Sequence, residues 1–326
     1  MRRLLFIPWL FLGNCGTSEG EYVRGVEVIM ATTVSVDVPQ EHAGAIEEVF
    51  AVFRDVEESL SEWREDSPLA AVNDAAGDDA VVVPPLVLAA VQRSLAIADL
   101  TGGAFDPTWA ALWCLWDFKA SHPTVPTADE IAERLPLVDW QLVDVDPAAM
   151  SIRLPRSGMV MGLGGIAKGI AMDHAVLVLD ARGIDSFMIT AGGQVFVRGL
   201  KDGRQWQVGV QEPGGGRVDL IMTLELTDTC VSTSGDSEQF FEVDGTRYHH
   251  VLDPRTGIPS HGVRSVTVIS PDATLADALS TALMVMGTDR GLQLVRNLPS
   301  VDALLIDDTG TIHSTMPGDE SPYFDK

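Results

Sequence analysis

Hydrophobic and polar positions divide the chain into short blocks of two different periods. Residues 26–38 read Val-Glu-Val-Ile-Met-Ala-Thr-Thr-Val-Ser-Val-Asp-Val, β-branched and partly alternating, which predicts a strand. Over 41–61, Ala45, Ile46, Val49, Val52, Phe53, Val56 and Leu60 recur at helical spacing and predict an amphipathic helix. A second helix starts at Pro84-Pro85 and stops at Gly102-Gly103, since Pro suits a first turn and Gly a left-handed stop. Residues 123–135 predict a surface loop with a short helix, and 142–154 a hairpin turning at Asp146-Pro147. A third helix covers 166–182, closed by Gly183. Strands are expected at 186–190, 194–198, 205–210, 218–226, 247–252 and 263–270. Helices at 274–286 and 290–298 and a last hairpin at 301–314 complete the pattern. The elements intermix without regular alternation, internal repeat or low-complexity linker. That pattern predicts an α+β fold, a single interdigitated unit of mixed or antiparallel sheets flanked by helices.

Composition narrows the function. The 326 residues are 46% hydrophobic, enough for a substantial core, and 22 Lys+Arg against 47 Asp+Glu give a net charge of −25. Such acidity speaks against nucleic acid or an anionic membrane surface as partner. A phosphorylated ligand would need a local cation to overcome the general field. No internal stretch approaches the roughly 20 apolar residues of a membrane span. Three cysteines, Cys15, Cys114 and Cys230, make no disulfide framework. Arg2 and Arg3, the apolar run 4–12 and Gly13-Asn14-Cys15 follow the pattern of a secretory signal, with Cys15 placed as a lipid-modified residue. Asn14 occupies a position where a small residue is expected, so an uncleaved N-terminus with an incidental cysteine is the other reading. Residues 1–20 therefore stand outside the fold, and the location is periplasmic or cell envelope, with cytoplasmic as the alternative.

Several segments carry candidate chemistry. Gly162-Leu163-Gly164-Gly165-Ile166-Ala167 satisfies the G-x-G-x-x-G/A template and opens a helix, with Asp180 or Asp185 roughly 20 positions on. The absence of strand–helix alternation argues against a dinucleotide-binding Rossmann unit; the same glycines serve any anion approaching a helix N-terminus. Asp277 and Thr281, at i and i+4 with Ser280 between them, can converge on one hard cation or simply serve the helix backbone. In His249-His250-Val251-Leu252-Asp253-Pro254-Arg255-Thr256-Gly257, His250 and Asp253 suit proton transfer, though Asp253 also suits a turn. Thr233-Ser234-Gly235-Asp236 reads as a polar loop able to meet phosphate. The turn Gly102-Gly103-Ala104-Phe105-Asp106-Pro107-Thr108 leads to Trp109, Trp113 and Trp116, indoles able to cover a flat heterocycle.

Taken in order, these segments resemble the FAD:protein FMN transferases, flavin transferases once labelled thiamine-biosynthesis lipoproteins. The matching stretches are Met30-Ala31-Thr32, Ser61 through Asn73, 102–108, Leu115-Trp116, 164–169 with Asp173, Gly192-Gly193, 233–236, 250–257 and 276–282. They span about residues 25 to 310, so 21–326 is expected to be one flavin transferase domain with a T-fold-like architecture. The resemblance implies transfer of FMN from FAD to a Thr or Ser hydroxyl of an acceptor flavoprotein, with release of AMP. It implies a divalent cation, usually Mg²⁺ with Mn²⁺ or Ca²⁺ as alternatives, held by Asp277, Thr281 and the carbonyl of Ala167, with Ser280 able to join. The flavin site it implies comprises Met30, Asn73, Leu115, Trp116, Asp117, Gly164, Lys168, Ile170 and Leu252, with Thr233 and Ser234 close by. His250 or Asp253 would be the base, and Asp106 an acid/base alternative. This chain departs from the family pattern at Ala31 (commonly Gly), Trp109 (a small aliphatic) and Gly162 (often Asp). The same residues would also serve an FAD pyrophosphatase, or an exported protein that binds FAD without turnover.

Overall fold

A computed structural model describes residues 22–118, 120, 122–215 and 219–316; the expectations for residues 1–20 and Cys15 lie outside them. Residues 26–38 belong to two strands. β1 (Tyr22–Ile29) and β2 (Thr32–Pro39) pair antiparallel with Ile29 opposite Thr32, leaving Met30-Ala31 as a two-residue turn. Both turn residues are left-handed, with φ of 52° and 56°. Asn-Gly normally supplies that geometry, so alternation read from the sequence runs straight through it.

A 3₁₀ turn (Gln40–Ala45) leads into α1 (Ile46–Leu60), and α2 (Pro68–Asp74) follows, capped by the Ser67 hydroxyl. Next come β3 (Val81–Val82) and α3 (Pro85–Thr101), which ends on Gly102 at φ 60°. A 3₁₀ segment (Trp109–Leu115) and α4 (Ala128–Arg134), with a Thr127/Glu130 capping box, precede β4 (Asp144–Asp146) and β5 (Ser151–Arg153), the expected hairpin. The chain continues through α5 (Ala167–Ala181), β6 (Phe187–Ala191), β7 (Gln194–Arg198), β8 (Trp206–Gln211), β9 (Leu220–Leu226) and β10 (Thr229–Gly235). It closes with β11 (Phe240–Val243), β12 (Thr246–His249), β13 (Val263–Ser270), α6 (Ala273–Val295), β14 (Asp302–Asp307) and β15 (Ile312–Ser314).

Eight strands form the main sheet in the order β1-β2-β6-β7-β10-β13-β14-β15, antiparallel at every pairing. A Rossmann unit needs parallel strands joined by crossover helices, so the glycine-rich template at 162–167 does not belong to one. Residues 233–235 are the end of a strand and not a loop: Thr233 opposes Thr267 and Gly235 opposes Ser265. Their hydroxyl-rich composition hides a strand held by its neighbours on both sides. The two helices expected at 274–286 and 290–298 are both present as the two segments of α6, separated where Gly287 takes φ 78°, ψ 176°.

Side-chain alternation gives the sheet two buried faces. Phe196, Cys230, Val266 and Val268 belong to the large core shared with α1, α3, α5 and α6. Val197, Val231 and Ile269 point the other way, under the β8–β9 hairpin, whose Trp206, Val208, Val210, Leu224 and Leu226 cover them. A third cluster joins Leu112, Trp116, Ile131, Phe241 and Leu252, tying the 3₁₀ segment and α4 to the β11–β12 hairpin.

Candidate active site

Two hairpin turns meet at one end of the sheet, because β2 pairs with β6 so that Val34 opposes Ala191. Met30-Ala31 is the first turn, and Gly192-Gly193, between Ala191 and Gln194, is the second. Gly192 has φ 61°, and a Cβ there would lie 2.8 Å from Thr32 Oγ1. Beside them open the end of β10, the first turn of α5 and the middle of α6. Together with the aromatic segment 109–118 they enclose a cavity of about 1050 Å³.

The polar end is built by α5 and α6. Asp173 on α5 accepts from the N–H groups of Ala273 and Thr274, each at 2.9 Å, and so fixes the start of α6. Gly169 allows the two helices to touch: a Cβ there would sit 2.4 Å from the Ala273 carbonyl oxygen. One turn further along α6, Asp277 is 3% exposed. Its Oδ2 accepts from Gly169 N–H at 2.9 Å, and its Oδ1 lies 3.6 Å from Lys168 Nζ. Thr281 lines the cavity one turn beyond Asp277, with its Oγ1 3.4 Å from a Cβ position on Gly165.

Tryptophans form the apolar end. Trp63, Trp109, Trp113 and Trp116 all line the cavity. Trp113 meets Trp63 and Trp109 edge-on at 5.1 and 5.2 Å, and Trp116 stacks on Phe118 at 6.1 Å. Trp116 is fully buried, its indole N–H donating to the Gly257 carbonyl at 2.9 Å.

Of the residues singled out from sequence, Met30, Trp116, Asp117, Gly164, Lys168, Thr233, Ser234, Leu252, Ala167, Asp277, Thr281, His250 and Asp106 line this cavity. Asn73, Leu115, Ile170, Asp253 and Ser280 are not among its lining residues. Asn73 instead clamps the backbone of Met161, donating at 2.9 Å and accepting at 2.7 Å. Asp253 holds Arg255 through two charged hydrogen bonds of 2.8 and 2.7 Å and accepts from its N–H, which is the turn-forming alternative. Ser280 is fully buried, donating to the Asp277 carbonyl and paired with Ser234 Oγ at 2.8 Å. Asp106 accepts from the N–H and hydroxyl of Thr108 and from Trp140 N–H; burial holds its carboxyl above the usual range.

His250 follows β12 with Nδ1 buried and unpartnered and Nε2 3.8 Å from Glu238 Oε2. Burial, aided by His249 and Lys168, pushes its imidazole down to about 4, so it is neutral at physiological pH. Sequence reasoning passed over three lining carboxylates. Glu57 accepts from Met30 N–H at 2.9 Å, Glu62 faces the N–H groups of Leu163 and Gly164, and Glu238 stands beside His250. Acidic residues are so common in this chain that none of these carried a signal.

The lining therefore holds the carboxylates Glu57, Glu62, Asp106, Asp117, Glu238 and Asp277 against the cations Arg64 and Lys168. An anionic diphosphate would enter an already acidic space, and the all-oxygen set of Asp277, Thr281 and the Ala167 carbonyl fits a hard divalent ion. Among the described residues no three His, Cys, Asp or Glu side chains converge on a metal position. Such an ion would take one carboxylate from the chain and complete its shell from phosphate and water, as Mg²⁺ commonly does.

Fold and cavity define an antiparallel α+β protein whose cleft has an aromatic end and a charged, oxygen-rich end, a division that suits a ligand with a heterocycle at one end and charge at the other. The sequence matches the ApbE family over residues 30–305, and the chain belongs to that family. It is 38% identical over 318 residues to the FAD:protein FMN transferase of Treponema pallidum, covering 90% of this chain and 87% of that one. With the FAD:protein FMN transferase of Vibrio cholerae it shares 32% over 249 residues, 75% of this chain and 74% of the relative. The crystal structure of the ApbE protein from Thermotoga maritima superposes with a TM-score of 0.82 at 34% identity, covering 90% and 96% of the two chains. The flavin transferase ApbE from Vibrio cholerae gives 0.80 at 29%, again over 90% and 96%.

Proposed function

We propose that this chain is an FAD:protein FMN transferase: it moves FMN from FAD to a Thr or Ser hydroxyl of an acceptor flavoprotein and releases AMP. The observation that carries this reading is the single cavity joining the indole wall to the Lys168–Asp277–Thr281 corner. In this assignment Met30, Trp116 and Leu252 border the flavin, and Lys168 with the Gly164-Gly165 segment faces the diphosphate. Asp277, Thr281 and the Ala167 carbonyl hold a divalent cation, Mg²⁺ being the first choice. That ion would draw charge from the phosphoryl oxygens as the leaving group departs. Ser280, with its hydroxyl engaged by Ser234, acts by supporting the corner.

His250 is the proposed base: neutral, inside the cavity, and able to receive the acceptor's proton at Nε2. Asp253 is committed to Arg255 and Asp106 to Thr108, so each shapes a loop. The test combines FAD, Mg²⁺ and an acceptor carrying a flavinylation Thr. Flavin fluorescence on the denatured acceptor, with stoichiometric AMP, is the expected outcome. Free FMN with AMP would assign a pyrophosphatase, and intact retained FAD a binding protein. An envelope location, with Cys15 as lipid anchor, is likewise a proposal; mass spectrometry of the mature N-terminus tests it against a cytoplasmic chain.

A further inference from the structure

His250 as it stands is a weak base. Half-buried, with Nδ1 sealed, and flanked by His249 and Lys168, its imidazole is held near 4, two units or more below what suits proton abstraction at neutral pH. Something in the cavity must support the imidazolium that forms when it accepts a proton. Among the described residues, Glu238 is the carboxylate within ion-pair distance, its Oε2 3.8 Å from His250 Nε2. The fold sets this spacing. Glu238 sits in the turn between β10 and β11, and His250 follows β12, the strand paired to β11. The two segments are joined by a backbone hydrogen bond, His250 N–H to the Gln239 carbonyl at 3.0 Å. Gly235 N–H, at the end of β10, faces the Glu238 carboxylate.

We propose that Glu238 is a supporting carboxylate of the transfer reaction, acting through His250 by carrying the countercharge when its Nε2 receives the acceptor's proton. The inference rests on the transferase reading and deepens it. In the step it serves, the acceptor O–H bond breaks and its proton goes to His250 Nε2. The freed oxygen bonds to the FMN phosphorus, and the bond from that phosphorus to the bridging oxygen breaks, so AMP leaves with the electron pair. Nδ1 takes no part, being sealed from solvent without a partner.

The charged groups facing the pair act in opposite directions. Desolvation raises the Glu238 carboxyl, Lys168 from α5 lowers it, and Asp277 from α6 raises it. His249 and Lys168 both depress His250, and the Gln239 carbonyl works against them. A positive charge arriving on His250 would reverse that balance locally and favour ionised Glu238.

Glu238→Gln tests this. It should lower kcat by roughly tenfold to a hundredfold, leave KM for FAD and the Mg²⁺ requirement unchanged, and move the acid limb of the pH–rate profile to lower pH. The sign follows because removing a negative charge makes the imidazolium more acidic. Glu238→Asp should restore part of kcat and part of the shift. Wild-type kcat and pH profile in Glu238→Gln, or a defect confined to KM or metal requirement, would overturn the proposal. If Glu238→Gln fails to fold, the same comparison is made with Glu238→Ala, where wild-type kcat with an unmoved acid limb is the overturning result. His250→Gln measured alongside separates the levels. Full turnover in His250→Gln removes the base assignment itself, whereas an inactive His250→Gln beside an unaffected Glu238→Gln removes only the role of Glu238.

Discussion

Met30 and Ala31 hold left-handed backbone at the rim of the cavity, a conformation that costs roughly 1–2 kcal/mol for a residue with a side chain. Ala31→Gly should therefore stabilise the protein by about 1 kcal/mol, about 2 °C in Tm by calorimetry, with FAD affinity little changed. Asp277 makes a different kind of demand. Asp277→Asn keeps an oxygen for Gly169 N–H while removing the charge, and should cut Mg²⁺-dependent transfer by at least roughly a hundredfold with the fold intact. Asp277→Ala adds an orphaned N–H and should also lower Tm. His250 makes folding sensitive to acid. Its imidazole sits at about 4 against an ordinary 6.5, so between those values the unfolded chain binds more protons than the folded one. Stability should be full above about 6.5 and decline as pH falls towards 4, with a shallower decline in His250→Gln when Tm is followed against pH.

At the scale of elements, the junction of α5 and α6 decides whether the site exists. Gly169 lets α5 approach within a distance that any Cβ would close, and the same residue's N–H orients Asp277. Gly169→Ala should push the helices apart, costing about 1–3 kcal/mol by denaturant titration, and should reduce Mg²⁺-dependent transfer even where the variant folds. This junction was half legible. The Asp277/Thr281 spacing and the helix after Gly164-Gly165 could be read from periodicity, and both lie on helices close to where spacing put them. Their mutual contact depends on tertiary packing and leaves no local signature. β10 escaped notice for a related reason: Thr-Cys-Val-Ser-Thr-Ser-Gly lacks a hydrophobic alternation, and β7 and β13 impose the strand from either side. The Met30-Ala31 turn escaped because neither residue favours turns. In the site itself, glycines and hydroxyls stood out against an ordinary background, whereas Glu57, Glu62 and Glu238 were lost among 47 acidic residues.

Over the whole molecule, a net charge of −25 surrounds a cavity that is itself rich in carboxylates. An FAD diphosphate should bind weakly alone and much better with a divalent ion. In thermal shift experiments FAD with Mg²⁺ should raise Tm by more than the two separate shifts combined, while NAD should leave it unmoved. At a hundredfold excess over Kd the gain corresponds to about 2.7 kcal/mol. One face of the antiparallel sheet is covered by the β8–β9 hairpin, and the cavity opens at the turn end, the face from which the proposed transfer would take both substrate and acceptor.

The indole wall has a practical corollary. Four of the chain's seven tryptophans, Trp63, Trp109, Trp113 and Trp116, border the cavity. An isoalloxazine absorbs where indoles emit, so a flavin lodged among them will dim the protein's own ultraviolet glow. Occupancy can then be followed in real time on the unlabelled chain, and recovery of the emission would clock how quickly the flavin leaves on its acceptor.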